Sequence, residues 1–243
     1  MNTLYTTITG LFYGTIGTFI GGLIGISLKK ISNKFLSFLL ALASGLMLSV
    51  ISFELLPEAM QMSSNFHIIL GIFLGILLMI ICNIIVEHKI TDKKMSTNSI
   101  LKTGIVVSIG LAIHNIPEGL AIGTGLENSI KLGVSLALAI AMHDIPEGIS
   151  MAAPLKKAGM SSSKILFYVL MSGVSTGIGA MFGSMLGSIS TKITSFSLSF
   201  ASGAMLYVVS GELTPEYSKL HNGRISPLGN MIGFILGYFV TQI

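Results

Sequence analysis

The chain has no tryptophan, a single cysteine and very little charge. Only 10% of its 243 residues are Asp, Glu, Lys or Arg, while 51% are apolar and the mean hydropathy is +0.84. A soluble domain carries about 25% charged residues. This chain cannot cover itself with polar surface, so its solvent must be largely lipid. The lone Cys82 excludes a disulfide framework and a cysteine-based zinc site. Without tryptophan, the six tyrosines are the amphipathic aromatic anchors. No basic patch is interleaved with aromatics, so the net charge of +4 does not point to nucleic acid. The N-terminal stretch from Leu4 to Leu28 lacks a basic leader and is long enough to cross a bilayer, so it reads as a span rather than a cleaved signal.

What the sequence does contain is apolar runs. Eight of them, near 4–28, 35–57, 67–86, 101–125, 132–155, 165–190, 193–215 and 225–242, have the length of a membrane helix. The expected fold is an all-α polytopic membrane protein with eight transmembrane helices in one domain, residues 1–243. Basic residues set its orientation. The loops after spans one, three, five and seven carry 12 of the 14 Lys and Arg, leaving Lys131 and Lys192 on the other side. By the positive-inside rule the 12 face the cytoplasm and both termini lie outside. The longest loop, Glu87 to Leu101, is expected to be polar and cytoplasmic.

Two segments repeat. Ala43 to Glu58 (ASGLMLSVISFELLPE) and Ala201 to Glu216 (ASGAMLYVVSGELTPE) are identical at eleven of sixteen positions, and they fall in spans two and seven, which run in opposite directions. Span one carries Gly17, Gly21 and Gly25, and span six carries Gly179, Gly183 and Gly187 at the same spacing. Spans four and five share His-x-Ile-Pro-Glu-Gly. This predicts a 3+2+3 inverted repeat around a central helix pair, an arrangement common in secondary transporters. The glycines, four apart, line one helix face and suit close packing.

The central pair carries the chemistry. His114-Asn115-Ile116-Pro117-Glu118-Gly119 and His143-Asp144-Ile145-Pro146-Glu147-Gly148 sit near the middle of their spans. Ionisable groups at that depth are costly and usually functional. His and Glu four apart share a helix face, and Asn115 and Asp144 fall on the same side. Pro117 and Pro146 free the carbonyls of Ile113 and Met142 and are expected to kink both helices. Two imidazoles, three carboxylates and an amide suit zinc, ferrous iron, manganese or cobalt. No lysine or arginine in the core neutralises the acids, so a divalent cation or protons must. Met47 and Met205 hold matching places in the repeat, and Met47 is a candidate thioether ligand. Glu54, Glu58, Glu212 and Glu216 read as carboxylates near the outer end of span two and the inner end of span seven, where they could attract cations.

With these motifs the chain resembles the ZIP (Zrt/Irt-like) family of metal transporters, nearest its prokaryotic zinc-uptake and GufA-like branches. The resemblance covers essentially the whole chain. It implies a binuclear centre: one site on His114, Glu118, His143 and Glu147 with Met47 nearby, and an adjoining one on Asn115, Glu118, Asp144 and Glu147. Family members often carry a Glu in span six where this chain has Thr176, which implies a weaker second site. The family's histidine-rich loop is reduced here to His88. The expected function is inward transport of divalent transition metals by alternating access in the cell membrane. Zinc comes first, with iron, manganese and cadmium as alternative substrates, and no separate cofactor. The resemblance suggests a homodimer and spans one, four, five and six moving against the rest. The rivals are a membrane-embedded di-metal enzyme and a cation channel. Against the enzyme, neither the Glu-x-x-His of di-iron bundles nor the His-Glu-x-x-His of zinc proteases is present.

Overall fold

A computed structural model describes residues 2–28, 31–92 and 99–242, and among these residues all regular structure is helical. Eight helices follow one another: α1 (Thr3–Ser27), α2 (Asn33–Met62), α3 (Asn65–Asp92), α4 (Ser99–Asn128), α5 (Ile130–Lys157), α6 (Ser162–Gly187), α7 (Thr191–Leu220) and α8 (Ile225–Val240). Among the described residues, six of them are long and apolar enough to cross a membrane, and α8 is a shorter apolar helix. Side-chain caps mark several starts. Asn2, Ser32, Ser129 and Ser190 each accept a hydrogen bond from a first-turn amide of α1, α2, α5 and α7. Ser129 alone separates α4 from α5, which makes that pair a tight antiparallel hairpin.

The polarity is that of a protein in lipid. Phe66, Phe73 and Phe239 are 59–70% exposed, while Glu118, His143, Asp144 and Glu147 are fully buried. Many interior hydroxyls satisfy themselves within their own helix: Ser199 donates to the Ser195 carbonyl and Ser202 to the Leu198 carbonyl, both at 2.8 Å.

Glycine decides which helices touch closely. A Cβ on Gly119 would overlap the Thr176 carbonyl oxygen, and one on Gly179 would overlap that of Ile116, so α4 and α6 meet backbone to backbone. Gly148 stands in the same relation to the Thr18 carbonyl and Gly21 to that of Ile145, which joins α5 to α1. The two contacts correspond residue for residue. They pair Gly21 with Gly179, the same offset that pairs Ala43 with Ala201. Spacing alone pairs Gly17 with Gly179, one helical turn away. Glycine contacts also join α2 to α8 (Gly45, Gly233) and α3 to α7 (Gly75, Gly203). The closest packing thus groups α1, α4, α5 and α6, with α2/α8 and α3/α7 set against them.

Three local expectations change. The loop expected from Glu87 is helical as far as Asp92, and α4 already begins at Ser99, because no glycine or proline interrupts that polar extension. Lys29, Lys30, Lys93 and Lys94 lie outside the described residues. Glu54 and Glu212 are not at helix ends: α2 runs on to Met62 and α7 to Leu220. Each lies inside a π-helical turn, Ile51–Leu55 and Val208–Leu213, with a proline three residues after the glutamate. Proline cannot supply an amide to the preceding turn, and the amides of Leu56 and Thr214 reach five residues back, to the carbonyls of Ile51 and Val209.

Candidate metal site

The antiparallel register of α4 and α5 sets residue 114 opposite 147 and 118 opposite 143. Each histidine therefore meets the glutamate of the other helix. His114 Nε2 lies 3.1 Å from Glu147 Oε2, and His143 Nε2 lies 3.1 Å from Glu118 Oε1. Asp144 Oδ1 is 3.8 Å from His143 Nε2. Pro117 and Pro146 sit inside continuous helix, and the following Gly119 and Gly148 are the close-contact glycines, so each motif is pressed against a neighbouring helix just past its carboxylate.

Two sets of ligand atoms converge to within 4.8 Å of one another: His114, Glu118 and Glu147, and Glu118, His143 and Asp144. The sets share Glu118 and divide the histidines one to each, whereas the resemblance places both histidines in one site. Asn115 is partly committed, since its Nδ2 donates to the Ser172 carbonyl and to Ser172 Oγ, both at 3.1 Å. Its Oδ1 remains without a partner, as do Glu118 Oε2, both Asp144 oxygens and Glu147 Oε1, all of them buried. Unpartnered acceptors on adjacent acids in a lipid-embedded protein are expensive. A cation of charge two would offset them. Thr176 is fully buried, and its side chain packs where a Cβ on Gly14 would stand. Met47 is fully buried on α2, a helix that packs against α5.

Glu212, expected near a mouth, reaches the cluster in the structure. Its Oε2 stands 3.7 Å from His114 Nδ1. The signal that could have found it is the repeated Glu-Leu-x-Pro-Glu, because a proline there removes an amide from the turn that holds the acid. Glu54, its counterpart on the other π-turn, accepts a hydrogen bond from Ser135 instead.

A cavity of about 1060 Å³ leads to His114 from one end of the molecule. Its wall includes Asn83, Glu212, Lys156, Lys157 and Lys219, so it opens at the lysine-bearing end. On the opposite side of the cluster Leu55, Ile122, Leu126, Leu136, Ile140 and Leu198 are buried together. Two polar contacts tie α2 to the hairpin there: Glu54 with Ser135, and Glu58 Oε1 with Asn128 Nδ2 at 2.7 Å.

Residues 85–243 match the family described as ZIP Zinc transporter. Over 96% of this chain and 93% of the relative, the sequence is 32% identical to a zinc transporter ZupT of Akkermansia muciniphila. A ZupT of Corynebacterium aurimucosum is 32% identical over 90% of this chain and 89% of its own length. The zinc transporter GufA of Myxococcus xanthus is 30% identical over 76% and 78%.

Proposed function

Since the chain belongs to the ZIP family of zinc transporters, we propose that the buried cluster on α4 and α5 is where its substrate ion binds in transit. The protein is a multi-pass membrane protein that transports divalent metal ions, with zinc as substrate, and it is not an enzyme. The reading of the site rests on one observation: buried, unpartnered carboxylate oxygens gather around two imidazoles, one of which, His114, lines an open cavity.

In the mechanism we infer, zinc exchanges water for imidazole nitrogen and carboxylate oxygen at His114, Glu118 and Glu147, with Glu118 shared with the set on His143 and Asp144. Met47 adds a soft ligand from α2. By the lysine bias the cavity faces the cytoplasm and the termini lie outside, so this conformation releases zinc inward. The apolar plug and the two polar ties close the outer side. A 3+2+3 inverted repeat is supported by the matched glycine contacts of α1 with α5 and α6 with α4, and by the twin π-turns. Alternating access then moves α1, α4, α5 and α6 against the remaining helices. A charge of two entering an inside-negative cell gains about 4.6 kcal/mol per 100 mV, which drives uptake.

The test is zinc uptake into proteoliposomes under an imposed potential, with iron, manganese and cadmium as competitors. Wild type should saturate at low zinc and His114→Ala should not transport. Normal transport by His114→Ala would sink the site assignment, and flux at channel rates would sink alternating access. Asn115 should matter less, because its amide nitrogen is held by Ser172. Asn115→Ala is expected to lower uptake by no more than about tenfold, the scale of one hydrogen-bonded neutral group. A larger loss in the same assay would make Asn115 a principal ligand.

A further inference from the structure

His114 presents Nε2 toward the carboxylates, so zinc binding there requires the proton on Nδ1. That Nδ1 is buried and makes no hydrogen bond. Glu212 Oε2, 3.7 Å away, is beyond hydrogen-bond length but within reach of a small side-chain rotation. The carboxylate does not hang freely in the cavity. Asn83 on α3 donates from its amide nitrogen to Glu212 Oε1 at 3.3 Å and to the Tyr207 hydroxyl at 3.0 Å. A carboxylate only accepts, which fixes the amide nitrogen toward it. The Tyr207 ring lies over Gly211, where a Cβ would stand 3.2 Å from it, so the residue beside Glu212 leaves room for the ring.

Ligating histidines generally give their second N–H to a carboxylate, which orients the ring and makes the ligand nitrogen more basic. We propose that Glu212 is the outer partner of His114, accepting its Nδ1–H when zinc is bound, and that Asn83 and Tyr207 are positioning residues that aim Glu212. The inference rests on His114 being a zinc ligand. Asn83, Tyr207 and Glu212 belong to the α3/α7 pair and His114 to the other helix group. The contact therefore bridges the two groups, and His114 has this partner in the conformation whose cavity is open at the lysine-bearing end.

The experiment is cobalt(II) binding to the purified full chain in detergent, read by its visible absorption, with zinc affinity from competition. Glu212→Ala is expected to weaken binding about 10–100-fold while leaving the cobalt bands in place, because the direct ligands are unchanged. Asn83→Leu, of the same branched shape, should weaken binding about tenfold or less in the wild type and not at all in the Glu212→Ala background. Tyr207→Phe should behave as a milder Asn83→Leu. Shifted bands in Glu212→Ala would make Glu212 a direct ligand and overturn the proposal. Unchanged affinity in Glu212→Ala, or losses that add in the double variant, would overturn it too. If Glu212→Ala does not fold, Glu212→Leu, which also lacks an acceptor, replaces it in the cycle with the same criteria. His114→Ala runs alongside. If it binds like wild type, the site assignment fails; if it loses binding while the other variants do not, only this inference fails.

Discussion

Glu147→Ala is expected to lower the initial rate of zinc uptake by at least about a hundredfold. Glu147 is fully buried, holds His114 Nε2 at 3.1 Å through one oxygen and offers the other, unpartnered, to the cluster. Removing it takes one of three carboxylates from a site that must balance a charge of two. It also leaves His114 Nε2 without its partner. Breaking a buried pair of this kind costs about 3–5 kcal/mol, or roughly 10² to several times 10³-fold in an equilibrium. Glu147→Gln separates this loss from misfolding, because it keeps volume and hydrogen-bonding capacity and removes only charge. Metal-free Glu147→Gln should melt near the wild type in detergent. It should lose most of the zinc-induced rise in melting temperature, since a ligand stabilises only as far as it binds. Uptake at the wild-type rate by Glu147→Ala would remove the cluster from the transport path.

The same cluster shows how far sequence carries. Histidine and glutamate four apart on two apolar runs require a shared face, and the lone Ser129 between the helices makes the pair antiparallel. From these two facts the crossed partners, His114 with Glu147 and His143 with Glu118, could have been drawn. The division of ligand atoms could not, because it depends on side-chain torsions and on where Ser172 of α6 meets Asn115. Glu212 was misplaced for a different reason. A proline three residues on reads as the end of a helix, yet the backbone absorbs it by widening one turn and α7 continues to Leu220. Glu54, before Pro57, was misplaced in the same way. The glycine spacing shows the right faces and leaves the register open by one turn, since an i, i+4 pattern looks the same when shifted by four. The carbonyls that the glycines touch distinguish the two registers, and they agree with the offset of the Ala43 and Ala201 repeat.

That register carries the second large effect. Gly119→Ala is expected to destabilise the protein and to cut uptake about a hundredfold, although alanine is the better helix former. The added Cβ would overlap the Thr176 carbonyl oxygen and stand 2.8 Å from the Ala180 amide nitrogen. Both obstacles are backbone, so neither can rotate aside, and α4 must move off α6. Overpacking of a tight contact costs about 1–3 kcal/mol. The displacement also reaches function, because Glu118 is the adjacent residue and is shared by both sets of ligand atoms. A misplacement of about 1 Å at a reacting group can cost about 10²-fold. Gly110 on the same helix provides the comparison: it borders the cavity, and a Cβ there would meet nothing within 4 Å. Gly110→Ala should gain about 0.5–1 kcal/mol of stability from helix propensity and keep its uptake. Melting curves in detergent and uptake in liposomes measure both variants. If Gly119→Ala were as stable and active as Gly110→Ala, the backbone contact between α4 and α6 would not set the position of Glu118.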